Sequence, residues 1–318
     1  MFHEVVIVTG SLAYDQILNL PGKFSSYILP DKIHQINVSF ATDTHTVNFG
    51  GTAGNQAYSL ALLGIRPVIV ATAGYDFDRY RKFLEKNGID TSYIKIIKNK
   101  LTASGFAITD EANNQIWGYS KAAMSDSKDH HLKPVISELS KTNKQLFAIL
   151  TPCGEEGIAN YVDECVALNL PFAFDPAFYI PSLSEKTLRK GVRYAQIVFG
   201  NDYELSLLQK RLSHEKLQGL TLKDTQIVAT TLGENGSVIQ QGNKKFTIKP
   251  SIVHKVVDPT GAGDAYRSGF LAGYIKQLPL KVCGQMGSVA AAYAVENYGT
   301  MEHSYSKNEF WKRYNENY

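Results

Sequence analysis

The chain has 318 residues, of which 44% are hydrophobic and 20% are charged. This composition supports a sizeable core and excludes a largely disordered chain, and at about 150 residues per domain the length allows one large domain or two smaller ones. With 33 Lys and Arg against 30 Asp and Glu, the formal net charge of +3 gives no global field that would draw nucleic acid or an anionic membrane.

Cysteine count and hydropathy point to a soluble protein. Cys153, Cys165 and Cys283 are an odd number without close spacing, which argues against a disulfide framework. The N-terminus has no basic segment ahead of its short apolar run and does not resemble a signal peptide. The longest apolar stretches, Leu60–Ala73 and Met286–Val295, fall short of the ~18 residues that a membrane span needs. We therefore expect a cytoplasmic protein without a membrane or nucleic-acid partner.

Short apolar runs alternate with amphipathic stretches along most of the chain. Val5–Val8 predicts a strand buried on both faces, and Thr52–Leu63 predicts a helix of small residues. Pro67–Thr72 predicts a second strand, and Asp76–Asn87 predicts a helix capped by its aspartate. Further predicted elements are the strands Leu146–Leu150, Pro171–Phe174, Gln196–Phe199 and Gln226–Thr230 and the helix Glu155–Asn169. Such alternation is typical of a mostly parallel α/β sheet that binds ligands beyond its strand carboxyl ends.

Two segments break this rhythm. Ser11–Asn48 contains alternating residues around Lys32 to Phe40 that predict an exposed strand. The second segment contains the predicted strands Tyr93–Ile97, Ala103–Thr109 and Gln115–Tyr119. We interpret residues 11–48 and 92–120 as a small β lid on a large α/β domain of residues 1–10, 49–91 and 121–318. The alternative is hairpin decoration of one domain.

The most informative stretch is Asp258–Tyr266, with the sequence Asp-Pro-Thr-Gly-Ala-Gly-Asp-Ala-Tyr. It follows a strand-like run, Val253–Val257, and precedes Ala265–Ile275, whose apolar residues recur at helical spacing. A Gly-rich turn therefore opens a helix. Free backbone N–H groups and the helix dipole favour an anion at such a point, and glycines let the chain approach a ligand closely.

Three interpretations of this turn compete. Gly261-Ala262-Gly263 matches the start of a dinucleotide fingerprint, but Tyr266 stands where that fingerprint needs glycine, which weakens an NAD-binding assignment. A Walker phosphate loop is excluded because the chain contains no G-x-x-x-x-G-K-[ST]. A plain turn with a helix cap is the third interpretation.

Asp264 decides between these interpretations. A carboxylate inside an anion-binding turn would repel a phosphate held there permanently, but it has a role if a hydroxyl lies between the two groups. Asp264 would then take the hydroxyl proton. The amides of Gly261, Ala262 and Gly263 would stabilise the transferring phosphoryl group. The motif therefore favours a kinase that acts on an alcohol. Arg267, three residues on, could contact phosphate or pair on the helix surface.

Asp258–Asp264 and the residues that follow, Ala-Tyr-Arg-Ser-Gly-Phe-Leu-Ala-Gly, resemble the C-terminal signature of the ribokinase-like (PfkB) family of sugar and nucleoside kinases. Further elements that resemble the family's motifs occur in the family's order at Gly10–Asp15, Asn48–Asn55, Asn201–Glu204 and Thr230–Gly236. The resemblance implies a ribokinase-like three-layer α/β/α sandwich with a mostly parallel central sheet and a small β-sheet lid. It also implies ATP and Mg²⁺ as cofactors.

The resemblance implies roles for particular residues. Contacts with the acceptor's sugar are implied for Ser11, Asp15, Gly50, Gly51 and Asn55. Organisation of Mg²⁺ and phosphate is implied for Asn201 and Glu204. Nucleotide binding is implied for Thr230, Thr231, Gly233, Gly236 and Asn297, the last beside the adenine of ATP. Many members of the resembled family hold a monovalent cation such as K⁺ beside the loop that corresponds to the one before Gly261. The resemblance does not decide whether this chain binds such an ion.

Residues of the N-terminal lobe narrow the range of possible phosphate acceptors. Leu20–Ser25, Leu29-Pro30 and Val38–Phe40 resemble the bacterial adenosine kinases of this family, which implies a nucleoside acceptor with Ser39 beside it. A nucleoside needs an apolar slot for its base. Aromatic candidates for that slot are Phe106, Trp117, Tyr119, Phe178 and Tyr179.

We predict an ATP- and Mg²⁺-dependent kinase that phosphorylates a primary hydroxyl, with the 5′-hydroxyl of adenosine as the first choice. A kinase for ribose or fructose is the alternative. A non-catalytic nucleoside- or nucleotide-binding module on the same fold is a second alternative. Members of the resembled family often pair through the lid, so a homodimer is also expected.

Overall fold

A computed structural model of the protein describes residues 5–35, 37–112, 114–142, 145–212 and 226–318. In this part of the chain, no helix combines the length and the apolar character that a membrane crossing requires. All three cysteines are free and buried.

The described residues form strands and helices that alternate along most of the chain. The strands are β1 (Val5–Thr9), β2 (Ala13–Asn19), β3 (Thr44–Gly50), β4 (Pro67–Gly74), β5 (Ile94–Ile97), β6 (Ala103–Thr109), β7 (Gln115–Ser120), β8 (Leu146–Leu150), β9 (Phe172–Phe174), β10 (Ile197–Asn201), β11 (Ile227–Thr231), β12 (Ser237–Gln241) and β13 (Lys244–Ile248). The helices are α1 (Thr52–Leu62), α2 (Asp78–Lys86), α3 (Leu132–Leu139), α4 (Glu155–Ala167), α5 (Glu185–Tyr194), α6 (Asp202–Arg211), α7 (Ala262–Ile275), α8 (Leu280–Val295) and α9 (Lys307–Asn317).

The larger sheet has the strand order β13-β12-β11-β10-β9-β8-β1-β4-β5. Strands β11 to β5 of this order run parallel, and the β12–β13 hairpin adds an antiparallel edge. Central strands are continuous apolar runs because both faces are buried: in β1, Val6 and Val8 enter one core and Ile7 enters the other. Helices α1, α2 and α7 to α9 cover the first core, and α3 to α6 cover the second. The predicted three-layer sandwich is confirmed.

Polar residues, some of them from the predicted motifs, lie at the carboxyl edge of this sheet. Ser11 follows β1, Asp175 follows β9, and Asn201 ends β10. Helix α1 begins at the same edge, where the backbone N–H of Thr52 donates to Oγ of Ser11 at 3.0 Å. Because parallel strands all end at one edge, residues distant in sequence converge there, as ligand sites in such sheets require.

The smaller sheet has the order β3-β2-β6-β7 and contains two of the strands predicted for the lid. The third prediction is wrong: Tyr93–Ile97 supplies β5, which pairs in parallel with β4 of the larger sheet. The physical reason is that α2 connects β4 and β5, and a strand that follows such a crossover helix joins its partner in parallel. The exact boundaries of the predicted lid stay a prediction.

The exposed strand predicted around Lys32 to Phe40 does not form in the described residues; Ile36 lies outside them. Pro30–Gln35 is instead a short 3₁₀ helix, and residues 37–40 have no regular structure. The Phe40 ring packs edge-on against the rings of Phe24 and Tyr27, with centroids 5.5 and 5.6 Å apart. Phe40 therefore packs in a local aromatic cluster and does not belong to a strand.

Two further local predictions are wrong. Val253–Val257 is not a strand, because Val257 donates its N–H to the carbonyl of Val295 at the end of α8 at 2.9 Å. Asp76 does not cap α2. Its Oδ1 accepts from the backbone N–H and the hydroxyl of Thr102, both at 2.7 Å, and so fixes the chain that leads into β6.

Candidate active site

The Gly-rich turn opens α7 as predicted. Gly261 precedes the helix with φ of +79°, a left-handed conformation that glycine adopts without strain. The N–H of Ala262 donates to the carbonyl of Pro259 at 3.2 Å, so the stabilising role predicted for that amide is weakened. The amides of Gly261 and Gly263 remain as candidate donors at the helix start, where the first-turn N–H groups have no intrahelical acceptor.

Asp264 lies in this first turn and is held by α1. Nδ2 of Asn55 donates to Oδ2 of Asp264 at 2.8 Å, and Nε2 of Gln56 donates to Oδ1 at 3.1 Å. Burial raises the pKa of Asp264, while the Arg267 guanidinium and the two amides oppose that rise. A fixed carboxylate with a raised pKa beside free backbone donors can act as a general base. Sequence reasoning assigned Asn55 to the sugar and missed Gln56.

Arg267 neither lies on the helix surface nor reaches open solvent. It is 8% exposed, and its Nε lies 2.6 Å from Oδ2 of Asp175. Its Nη2 lies 3.5 Å from Oε2 of Glu204. Burial alone would lower the pKa of Arg267, but the surrounding carboxylates raise it. Asp175 is a site residue that sequence reasoning missed; its only signal was a polar residue directly after a buried strand.

Asn201 and Glu204 form a capping box at the start of α6. Oδ1 of Asn201 accepts from the N–H of Glu204 at 2.7 Å, and Oε2 of Glu204 accepts from the N–H of Asn201 at 2.8 Å. The Asn201 side chain is thus committed to the helix start. Oε1 of Glu204 takes no part in the capping box, so this residue fits the indirect holding of Mg²⁺ better than Asn201 does.

Substrate-side residues share one face of the smaller sheet. Asp15 stands opposite Asn48 on β3 and opposite Gly105 on β6, and Gly105 stands opposite Tyr119 on β7. Paired residues point to the same face. Between this face and residues 257–260 and 298–300 lies a cleft of about 440 Å³. On the sheet side the cleft is lined by Asp15, Ile17, Asn19, Asn48, Thr109, Gln115 and Trp117.

Gly50 lets the chain pass close to Asp15, because any Cβ at this position would collide with the Asp15 carboxylate. Gly51, the next residue, stands at the start of α1. Burial raises the pKa of Asp15 to about 6, with a further contribution from the negative charge of Asp258. Asp15 therefore combines restricted access to water with an acceptor group that suits sugar hydroxyls.

The predicted aromatic slot is only partly assembled. Tyr119 lies close to Asp15, whose charge adds to burial in raising the pKa of Tyr119 to about 12. Phe106 follows Gly105 on β6 and therefore lies on the opposite face of the sheet from the cleft. Phe178 is 61% exposed on the turn after β9, with its ring 4.8 Å from that of Tyr179. Ser39 is exposed and is not among the residues that line the cleft.

Nucleotide-side residues follow β11 and α8. Thr230 and Thr231 end β11 and are partly exposed. Gly233 and Gly236 flank the turn to β12, where the N–H of Gly236 donates to the carbonyl of Gly233 at 3.1 Å. Asn297 follows α8 and donates from Nδ2 to the carbonyl of Tyr293 at 2.8 Å, as a helix-ending residue does. This hydrogen bond stabilises the end of α8, and the predicted contact of Asn297 with the adenine of ATP stays a prediction.

Comparisons with known proteins agree with this geometry. A model of the pfkB family of carbohydrate kinases matches residues 10–308. A nucleoside kinase of Methanothermobacter thermautotrophicus is 30% identical over 313 residues, which cover 97% of this chain and 95% of that protein. A structure of Burkholderia thailandensis nucleoside kinase in complex with inosine has a TM-score of 0.84 and 28% identity, covering 98% of each chain. A Methanocaldococcus jannaschii nucleoside kinase has a TM-score of 0.86 and 26% identity, covering 99% of this chain and 98% of that one.

The raised pKa of Asp15 predicts a pH-dependent effect on stability. Protonation of Asp15 is favoured in the folded state, so its stabilising contribution is complete below the ordinary value of 3.8 and is lost as the pH rises through about 6. Asp15→Asn should therefore raise the melting temperature by a few degrees at pH 7 and have little effect at pH 4. Scanning calorimetry at both pH values measures this, with the exposed Asp163→Asn as the control. An equal effect of Asp15→Asn at the two pH values would contradict the assignment.

Proposed function

Because the chain belongs to the pfkB family of carbohydrate kinases, it is an ATP-dependent nucleoside or sugar kinase, and we propose that its acceptor is a nucleoside, with the 5′-hydroxyl of adenosine preferred. The observation that carries the kinase chemistry is the Asp264 carboxylate, fixed by two amides in the first turn of α7. The similarity to nucleoside kinases over nearly the whole chain supports a nucleoside over a free sugar.

The reaction follows from the placement of Asp264. The acceptor hydroxyl lies between this carboxylate and the γ-phosphate. Its oxygen bonds to the γ-phosphorus while the bond from that phosphorus to the bridging β-γ oxygen breaks, ADP leaves, and the hydroxyl proton passes to Asp264. The amides of Gly261 and Gly263 donate to the phosphoryl oxygens as charge develops on them.

Other residues orient the two substrates. Asp15 accepts hydrogen bonds from the sugar hydroxyls, with Asn48 beside it on the neighbouring strand. Thr230, Thr231 and Gly233 lie on the nucleotide side. When bound, Mg²⁺ neutralises charge on the phosphates, and Glu204 would hold it through water. A K⁺ ion beside the loop before Gly261 and a cytoplasmic location stay predictions.

The lining of the cleft favours an uncharged acceptor. None of its described residues is Lys, Arg or His, and two are the carboxylates Asp15 and Asp258. Such a cleft would repel a sugar phosphate. Trp117 lines the cleft and is 48% exposed, which leaves a large aromatic surface for a base. Trp117 therefore takes the place of Phe106 as the proposed base contact.

The outer face of the smaller sheet supports pairing of two chains. Val47 and Phe106 both stand opposite Gln16 and so share the face away from the cleft, together with Ile116. These three apolar side chains are 37%, 42% and 44% exposed. Clustered apolar side chains on a sheet face are typical of contact surfaces. We therefore propose a homodimer through this face.

Removal of the base tests the reaction. Asp264→Asn keeps the size of the side chain but cannot accept a proton, so kcat should fall about 10²–10⁴-fold, while nucleoside binding changes little. Steady-state kinetics with adenosine and ATP, together with calorimetric titration of adenosine, measure both effects. The surface variant Asp163→Asn is the control, and wild-type turnover by Asp264→Asn would refute the role of Asp264.

A substrate comparison tests the acceptor. We expect kcat/KM to be at least about tenfold higher for adenosine or inosine than for ribose, fructose or fructose 6-phosphate, because the cleft offers an aromatic surface and lacks cations. A coupled ADP-release assay at fixed ATP and Mg²⁺ measures all five acceptors. Faster turnover of ribose or fructose would assign the protein to the sugar kinases instead.

A charge on the outer face tests the dimer. Phe106→Glu should convert a dimer into monomers, because pairing would bury two like charges against apolar surface. Sedimentation equilibrium measures the mass, and Leu168→Glu, an equally accessible apolar site on the other domain, is the control. The KM for adenosine should stay unchanged, since Phe106 lies away from the cleft. A monomeric wild-type protein would contradict the proposed dimer.

A further inference from the structure

Three carboxylates from three elements surround one buried guanidinium. Arg267 on α7 lies 2.6 Å from Asp175, which follows β9, and 3.5 Å from Glu204 on α6. Asp264 stands one helical turn before Arg267 on α7. Asp175 is 1% exposed and Arg267 is 8% exposed, so water screens this group poorly.

A buried amide extends this group to the base. Nε2 of Gln56 donates to Oδ1 of Asp264 at 3.1 Å and lies 3.4 Å from Oδ2 of Asp175. Gln56 is fully buried. A continuous polar chain therefore runs from Asp264 through Gln56, Asp175 and Arg267 to Glu204. It joins the carboxylate at the start of α7 to the carboxylate at the start of α6.

The guanidinium also lies beneath the turn that faces the phosphate. A Cβ placed on Gly263 would come within 2.5 Å of Nη1 of Arg267, so this part of the side chain packs directly against the first turn of α7. Buried ion pairs give little net stability, because desolvation of the two charges offsets their attraction. A role in fixing geometry accounts for this arrangement better than a contribution to stability does.

We propose that Arg267 is a positioning residue for phosphoryl transfer: through Asp175 and Gln56 it fixes the direction of the Asp264 carboxylate, and through Glu204 it fixes the start of α6 relative to the start of α7. This inference rests on the proposed function of Asp264 as the base. Arg267 acts through these neighbours and does not contact the acceptor hydroxyl. Loss of its fork would let the base and the phosphate side shift relative to each other, and small displacements of reacting groups cost about 10²-fold in rate.

The first experiment compares Arg267→Met with Arg267→Lys. Met keeps an unbranched stem as far as the position of Nε and removes the rest of the guanidinium with its charge, so kcat should fall roughly 10²-fold, while the dissociation constant for adenosine, measured by calorimetry without ATP, stays within about threefold. Lys keeps a cation that can pair with Asp175 but lacks the second arm that reaches Glu204, so it should recover kcat only in part, to within about tenfold of wild type. A folded Met variant with wild-type kcat, or a Lys variant as impaired as the Met variant, would overturn the proposal.

A second variant separates positioning from charge balance. Arg267→Met leaves Asp175 as an uncompensated buried charge, so we combine it with Asp175→Asn, which removes both charges and keeps an acceptor for Gln56. If Arg267 positions the base, kcat of the double variant stays low. Recovery to wild-type kcat would mean that Arg267 only neutralises Asp175. Failure of both Met variants to fold would assign Arg267 to stability. Either result overturns the proposal.

Two controls keep the conclusions separate. Arg313 is equally buried and pairs with Glu296 at 2.7 Å, outside the proposed network. Arg313→Met should lower the melting temperature without the 10²-fold loss of kcat, and an equal loss would show that any buried arginine has this effect. Asp264→Asn is assayed in parallel. If it keeps wild-type turnover, the proposed base fails; if it loses turnover while Arg267→Met does not, only the present inference fails.

Discussion

The constraint on which the site depends is the fixed direction of one carboxylate. Asp264 receives hydrogen bonds from two amides that lie 209 and 208 residues earlier in the chain. Both amides donate through their nitrogen atoms to this carboxylate. Within the described part of the chain their oxygens, Oδ1 of Asn55 and Oε1 of Gln56, have no hydrogen-bond partner. Each buried acceptor without a partner costs about 1–3 kcal/mol. This cost is consistent with a site where the orientation of Asp264 matters more than stability.

The architecture around Asp264 follows from this constraint. Helix α1 must start beside α7, and the two helices are in close contact there. Ser268 Oγ on α7 lies 2.8 Å from the carbonyl of Asp264 in its own helix and 3.1 Å from the carbonyl of Gln56 on α1. The parallel strands then bring Asp175 and Glu204 to the same edge. The rigid sandwich thus holds the phosphate-side groups, while the smaller sheet contributes Asp15 from across the cleft.

Four acidic residues of the site, Asp15, Asp175, Glu204 and Asp264, are buried or partly buried. Burial raises the pKa values of both Asp15 and Asp264. Ionisation of these two groups at neutral pH therefore lowers the free energy of unfolding. Arg267 is the cation that the described residues place among Asp175, Asp264 and Glu204. Substrate hydroxyls on Asp15 and cations near Glu204 would relieve the remaining repulsion. Occupancy of the site and stability of the fold are therefore coupled.

The sequence by itself determined a mostly parallel α/β sheet, the start of α7 and the presence of Asp264 in its first turn, because these features depend on local patterns of apolar residues and glycines. The resemblance to the ribokinase-like family implied the three-layer sandwich and the roles of Asp15 and Gly50. Only the tertiary structure decided that β5 joins the larger sheet, that Phe106 faces away from the cleft and that Arg267 pairs with Asp175. Strand register and ion pairing depend on contacts between distant segments, and neither leaves a periodic signal in the chain.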